Sequence, residues 1–121
     1  MAEILVFENN VDAQEGIRRI LERKGHKLFG RFVELFRDVD TAIEMAVAAG
    51  IRVAIVDGML TDGDERDGIE IVKKLRKIGI ISIAHSTYHN EEMGADIVVG
   101  KEAPSAALLN AIAQALGSSV R

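Results

Sequence analysis

The chain contains no cysteine and only one proline. The absence of cysteine excludes disulfide bonds and metal sites built from thiolates, but it does not identify the redox compartment. No apolar run approaches the roughly 20 residues that a membrane-spanning helix needs. Residues 1–7 lack the basic leader and the length of a signal peptide. We therefore expect a cytoplasmic protein with no membrane partner.

Basic residues are outnumbered, since 15 Lys and Arg stand against 19 Asp and Glu and the net charge is -4. Proteins that bind nucleic acid draw much of their affinity from clustered Lys and Arg, so we expect no direct nucleic-acid partner. The 121 residues are 48% apolar, which is enough to build one buried core. We predict one domain spanning residues 1–121, without linkers or repeats.

Short apolar runs predict five strands, at residues 4–7, within 26–39, and at 51–56, 80–84 and 97–99. Continuous apolar runs of this kind are typical of strands that helices cover on both faces. Helical periodicity follows the first, second, third and fifth strands. Residues 85–94, between the fourth and fifth strands, are too few for a full helix.

Polar and glycine residues predict where these helices begin and end. Asp12 is a candidate cap for the first helix, and Thr41 with Glu44 matches a capping box for the second. Gly25, Gly50 and Gly117 are the predicted stops. Pro104 suits the first turn of the last helix.

The alternation of strands and helices predicts an α/β fold with a parallel sheet and right-handed crossovers. The simplest arrangement is a flavodoxin-like, doubly wound five-stranded sheet of order 2-1-3-4-5, with a shortened or missing fourth helix. In such a sheet the site forms outside the carboxyl ends of the strands, where the first and third strands lie side by side. Glu8, Asn9 and Asp57 would converge there.

Three segments resemble the CheY-like receiver domains of response regulators. They are Ile-Leu-Val-Phe-Glu-Asn at 4–9, Val-Ala-Ile-Val-Asp at 53–57 and Gly-Ala-Asp-Ile-Val-Val-Gly-Lys at 94–101. Together with Asp67-Gly68 they extend over nearly the whole chain in the family's order. The resemblance implies an atypical, single-domain receiver of two-component signalling, a phosphoacceptor that catalyses no reaction on a separate substrate, self-dephosphorylation aside.

The resemblance also implies roles for particular residues. Asp57 would accept a phosphoryl group from a histidine kinase or a phosphotransfer protein, and Lys101 would contact a phosphoryl oxygen. Mg²⁺ would be held by Asp57, Asn9, the backbone carbonyl of Met59 and, mostly through water, Glu8. The signal would then pass to a downstream protein partner. The sequence does not specify that partner, the kinase or the oligomeric state.

Several positions depart from the family pattern. Asn9 stands where many receivers have a second carboxylate, which changes the formal charge of the site from -2 to -1 and should weaken metal binding. Ala84 falls where the family has a hydroxyl, so Ser86 or Thr87 could replace it only after a register shift. Val98 takes the place of a switching aromatic residue. Residues 61–66 form an acidic loop about three residues longer than usual, which we expect to protrude near the site.

Two alternative functions remain open. A pseudo-receiver, a protein-interaction module of the same fold that works without phosphorylation, is favoured by Asn9, Ala84, Val98 and the short fourth helix. A small flavodoxin-like enzyme or nucleotide binder ranks last, because no glycine-rich phosphate loop follows the first strand.

Three smaller patterns favour structural roles. Asp62, Asp64 and Asp67-Gly68 miss the calcium-loop register and lack its twelfth-position Glu. His85 and His89 could ligate a metal, but without a third ligand we expect solvent-exposed histidines. Phe29, Phe32 and Phe36 could form a partner surface, although such spacing more often indicates core packing.

Overall fold

The computed structural model describes residues 2–87 and 91–118. Five strands form one parallel sheet: β1 (Glu3–Phe7), β2 (Lys27–Leu28), β3 (Val53–Val56), β4 (Ile81–Ala84) and β5 (Ile97–Val98). The described residues form four α-helices: α1 (Val11–Arg23), α2 (Val39–Ala48), α3 (Asp67–Lys77) and α4 (Ser105–Ser118). The strand order is β2-β1-β3-β4-β5, so the predicted flavodoxin-like order is confirmed.

Two apolar layers lie on opposite faces of the sheet. On one face Leu5 and Phe7 pack with buried residues of α2 and α3, and on the other Ile4 and Val6 pack with buried residues of α1 and α4. This division follows from the strand geometry, because successive side chains point to opposite faces. The central strands β1, β3 and β4 are therefore apolar throughout most of their length, as the continuous runs predicted.

The connection from β4 to β5 contains no α-helix among its described residues. A short 3₁₀ helix at Glu91–Met93 occupies part of this segment. The side chain of Met93 is buried against the same core layer as α3. The prediction of a shortened or missing fourth crossover helix is thus confirmed for the described part of the connection.

Three predicted helix ends were wrong. The cap of α1 is Asn10, whose side chain accepts a hydrogen bond from the Ala13 N–H at 2.9 Å, and Asp12 lies inside the first turn. The Thr41 and Glu44 pair is not a capping box, because a 3₁₀ helix at Phe36–Asp38 leads directly into α2 and places Thr41 within it. Helix α4 also continues past Gly117 to Ser118.

Aromatic residues between β2 and α2 contribute mainly to packing. Phe32 is buried in the layer of α1 and α4, while Phe29 and Phe36 pack, partly buried, against the opposite layer. The Arg18 guanidinium lies 5.3 Å from the centre of the Phe32 ring, within the range of a cation–π contact. The second strand is only two residues long, although a bridge between Phe7 and Val33 extends the pairing beyond it.

Gly68 sits where the first turn of α3 presses against the loop after β3. A Cβ at this position would lie 2.6 Å from the Met93 Sδ, 3.0 Å from the Gly58 Cα and 3.1 Å from the Asp57 carbonyl oxygen. At Gly16, inside α1, a Cβ would meet nothing within 4 Å. These two helical glycines therefore form a matched pair for testing the packing.

We expect Gly68→Ala to lower the free energy of unfolding by about 1–3 kcal/mol, because backbone atoms must move to admit the methyl group. We expect Gly16→Ala to raise it by about 0.5–1 kcal/mol, through the better helix propensity of alanine. Urea unfolding followed by circular dichroism measures both. Equal stability of the two variants would contradict the described contact between α3 and the loop after β3.

Candidate functional site

The site lies at the carboxyl edge of the sheet, where β1 and β3 are neighbours. Glu8 directly follows β1 and Asp57 directly follows β3. The Asp57 N–H donates to the Phe7 carbonyl at 2.9 Å, and the Glu8 N–H donates to the Val33 carbonyl at 3.0 Å. Sheet hydrogen bonding therefore continues past the strand ends and fixes the backbone of both acidic residues.

Lys101 connects these two carboxylates. Its Nζ lies 3.0 Å from Glu8 Oε1 and 3.5 Å from Asp57 Oδ1. Asp57 Oδ1 also accepts the Gly58 N–H at 2.8 Å, and Glu8 Oε2 accepts the Asn10 N–H at 3.1 Å. Because both acids are buried, with exposed fractions of 1% for Glu8 and 8% for Asp57, one ammonium group and two backbone donors compensate much of their lost hydration.

The surroundings of Glu8 change its titration. The pKa of Glu8 is raised from its usual value to about 7, first by burial and second by repulsion from Asp57. The hydrogen bond and the charge of Lys101 oppose it, as does the Asn10 N–H. Glu8 therefore exchanges its proton near neutral pH, and the net charge of the site changes with it.

An open cavity of about 400 Å³ lies in front of Asp57. Residues from four segments of the chain line it: Asn9, Asn10, Asp57, Gly58, Met59, Glu65, Ser86, Thr87 and Lys101. Glu8 is not among them, because its carboxylate is buried and meets the cavity only through Lys101. The structure thus brings five predicted site residues to the wall of one cavity: Asn9, Asp57, Met59, Ser86 and Lys101. Glu8 lies beside this cavity, in contact with Lys101.

The donor atoms in this cavity fit a hard cation such as Mg²⁺. The Asp57 carboxylate, the Asn9 amide and the backbone of Met59 provide oxygen atoms of the kind that Mg²⁺ prefers, and Mg²⁺ usually retains several waters. The Asn9 Nδ2 donates to Thr61 Oγ1 at 3.2 Å, so the nitrogen end of the amide is already engaged and the oxygen end is the one suited to a cation. Within residues 2–87 and 91–118, no three His, Asp or Glu side chains group together as a metal site.

The end of β4 supplies the hydroxyl groups. Ala84 is fully buried and pairs with Val56, one residue before Asp57 in the neighbouring strand. Ser86 and Thr87 follow it and line the cavity, and the Lys101 N–H donates to the Ser86 carbonyl at 3.3 Å. Ser86 is buried and Thr87 is exposed. The structure therefore places the predicted hydroxyl candidate, Ser86, next to the phosphoacceptor candidate.

His85 was predicted to be exposed, and this was wrong. Its side chain is 9% exposed, and its Nδ1 has no hydrogen-bond partner among the described residues. Burial and the charge of Lys101 lower the pKa of His85 to about 4, so the ring is neutral at pH 7. No sequence pattern indicated this burial, because a polar residue just after a strand is usually solvated. His89, its suggested metal partner, lies outside the described residues.

Three residues near the site were noted in the sequence only as part of an acidic loop or motif. Thr61 binds Asn9, Glu65 lines the cavity, and Asp67 is buried, accepting the Leu60 N–H at 2.9 Å. Their spacing alone could not assign these contacts, because an irregular loop has no repeating geometry. Only the path of the loop shows that Glu65 faces the cavity while Asp67, two residues later, binds a backbone N–H.

Glu8→Gln should change how stability depends on pH in the metal-free protein. Since the folded-state pKa is raised to about 7, the native state holds this proton more tightly than the unfolded chain. The stability of the wild type relative to Glu8→Gln should therefore fall as the pH rises from 5 to 8, by on the order of 1–3 kcal/mol. Urea unfolding in the presence of a chelator measures this difference. A constant difference over that range would refute the raised pKa.

No protein-family model matches the sequence, and no curated protein matches it. Solved structures do. The signal receiver domain of a modulated diguanylate cyclase from Desulfovibrio desulfuricans aligns with a TM-score of 0.77 at 20% identity, covering 97% of this chain and 94% of that chain. A response regulator receiver protein from Burkholderia phymatum aligns with a TM-score of 0.76 at 14% identity, covering 97% and 96%.

A sensor protein from Polaromonas has a TM-score of 0.76 at 16% identity, with 98% of each chain covered. None of the helices in the described parts of the chain is long and apolar enough to cross a membrane. Similarity at these identities establishes the fold. The chain therefore has the flavodoxin-like fold of response regulator receiver domains, along nearly its whole length.

Proposed function

We propose that the protein is a receiver that accepts a phosphoryl group on Asp57 and passes the signal on through protein contacts. The observation that supports this most directly is the Asp57 carboxylate itself, which faces a 400 Å³ cavity while Lys101 lies 3.5 Å away. A nucleophile beside a fixed cation and an open cavity is what phosphoryl transfer requires, because that reaction depends on positioning and on charge neutralisation.

The transfer uses groups that the structure brings together. A carboxylate oxygen of Asp57 attacks the phosphorus of a phosphohistidine on a histidine kinase or a phosphotransfer protein. The phosphorus–nitrogen bond breaks, the imidazole leaves as the neutral ring after protonation, and an aspartyl phosphate forms. Lys101 then neutralises a phosphoryl oxygen, while its second contact with Glu8 keeps the ammonium group at the site.

Other residues would hold a cation and the new phosphoryl group. Asp57, Asn9 and the carbonyl of Met59 would hold Mg²⁺, which supplies positive charge to the phosphoryl oxygens when it is bound. Glu8 would act on the cation from a greater distance, because its carboxylate is engaged by Lys101 and Asn10. Two hydroxyl residues after β4 line the cavity, Ser86 and Thr87. Ser86 is the nearer to β4 in sequence and is the candidate for contact with the phosphoryl group.

A pseudo-receiver is the second candidate, and one observation favours it. The carboxylate of Glu8 is already joined to Lys101 at 3.0 Å, closer than Lys101 is to Asp57, and Asn9 brings no second acid to the cavity. A site arranged in this way could preserve the fold without binding a cation. The two candidates differ in whether Asp57 is modified.

Incubation with acetyl phosphate and Mg²⁺, followed by intact-mass measurement, separates them. We expect a Mg²⁺-dependent gain of one phosphoryl group in the wild type and none in Asp57→Asn, which keeps the size of the side chain but removes the nucleophile. Absence of any gain, together with absence of Mg²⁺ binding, would support the pseudo-receiver. An undiminished gain in Asp57→Asn would show that another residue is modified.

Lys101→Met should slow this phosphorylation by about tenfold or more, because the developing charge on the phosphoryl oxygens loses its fixed cation. The variant should also be less stable by about 2–4 kcal/mol, since Glu8 and Asp57 then remain as neighbouring buried acids without an ammonium group. Lys73→Met, at an exposed position of α3, is the control for loss of one positive charge. Equal phosphorylation rates in both variants would exclude the proposed role of Lys101.

A further inference from the structure

The loop between β3 and α3 is held in one conformation by two carboxylates. Asp67 accepts the Leu60 N–H at 2.9 Å and the Asp64 N–H at 3.1 Å, and its side chain is buried. Asp62 accepts hydrogen bonds from the backbone N–H groups of Phe36 and Arg37. These bonds fix the loop both to its own helix and to the segment before α2.

The same loop is also attached to the residues that follow β1. Thr61 Oγ1 accepts the Asn9 Nδ2 at 3.2 Å, and the Thr61 N–H donates to the Glu34 carbonyl at 2.9 Å. The loop is thereby tied to the edge of the cavity, and Glu65 lies on the cavity wall with Asp57 and Lys101. The longer loop thus places the acidic side chain of Glu65 at the site.

The position of Glu65 matters because few acidic side chains line the cavity. Asp57 and Glu65 are the two acids among the described residues that line it. Glu8 is buried away from the opening, and its charge is compensated by Lys101 at 3.0 Å. Asn9 contributes a neutral amide. A divalent cation beside Asp57 would therefore depend on Glu65 for the remaining negative charge on the cavity wall.

We propose that Glu65 is a positioning residue for the divalent cation, acting on it through water from the loop between β3 and α3. It thereby replaces the negative charge that Asn9 lacks. This inference rests on the proposed cation site at Asp57. Water-mediated contact is the mode expected for Mg²⁺, which keeps several of its waters when it binds to a protein.

Mn²⁺ is a suitable probe, because it binds the same oxygen ligands and its free form is measured by electron paramagnetic resonance. The full chain is titrated as wild type, Glu65→Gln and Glu22→Gln. Glu22 is an exposed acid in the last turn of α1, at the opposite edge of the sheet from the cavity, so its variant changes the net charge equally without changing the site. Thermal unfolding without metal verifies that each variant is folded.

We expect Glu65→Gln to raise the Kd for Mn²⁺ about three- to tenfold, and Glu22→Gln to leave it unchanged. Glu65→Asp should retain part of the affinity, which a merely structural role of the loop would not predict. If the wild type binds and Glu65→Gln binds as tightly as Glu22→Gln, the role of Glu65 is overturned while the cation site at Asp57 stands. If the wild type binds no Mn²⁺ at millimolar concentrations, the cation site and the role of Glu65 both fail.

Discussion

The ammonium group of Lys101 between Glu8 and Asp57 is the interaction on which the carboxyl edge of this sheet depends. Two buried acids at the ends of adjacent strands lose hydration and repel each other, and even with Lys101 in place burial and the charge of Asp57 raise the pKa of Glu8 to about 7. Lys101 compensates both effects at 3.0 Å and 3.5 Å. The loop after β5 must therefore approach the ends of β1 and β3, and the connection from β4 to β5 must be compatible with that approach.

The acidic residues in the loop between β3 and α3 have two different roles: some bind backbone N–H groups, and one lines the cavity. Asp67 and Asp62 are acidic, yet they satisfy backbone N–H groups and shape the loop between β3 and α3. Glu65 belongs to the same loop but lines the cavity. Acidic residues that are close in sequence thus serve different purposes, because the backbone path decides which carboxylates meet N–H donors and which meet the opening.

His85 shows how the same edge tolerates a buried polar group. It follows β4 directly, and its N–H donates to the Val56 carbonyl at 2.9 Å, so its backbone extends the sheet. Its ring is held in the neutral form by burial and by Lys101, with the pKa lowered to about 4. A neutral ring costs far less to bury than a charged one, and it leaves Lys101 as the cation that faces Asp57.

The sequence by itself determined the alternation of strands and helices, the burial of the strands on both faces and the position of Asp57 at the end of β3, because apolar runs and their lengths are local properties of the chain. It also indicated that no full helix fits between β4 and β5. Only the tertiary structure decided that His85 is buried and that Glu65 lines the cavity while Glu8 does not. These outcomes depend on contacts between segments far apart in the chain, and no periodic pattern within one segment records them.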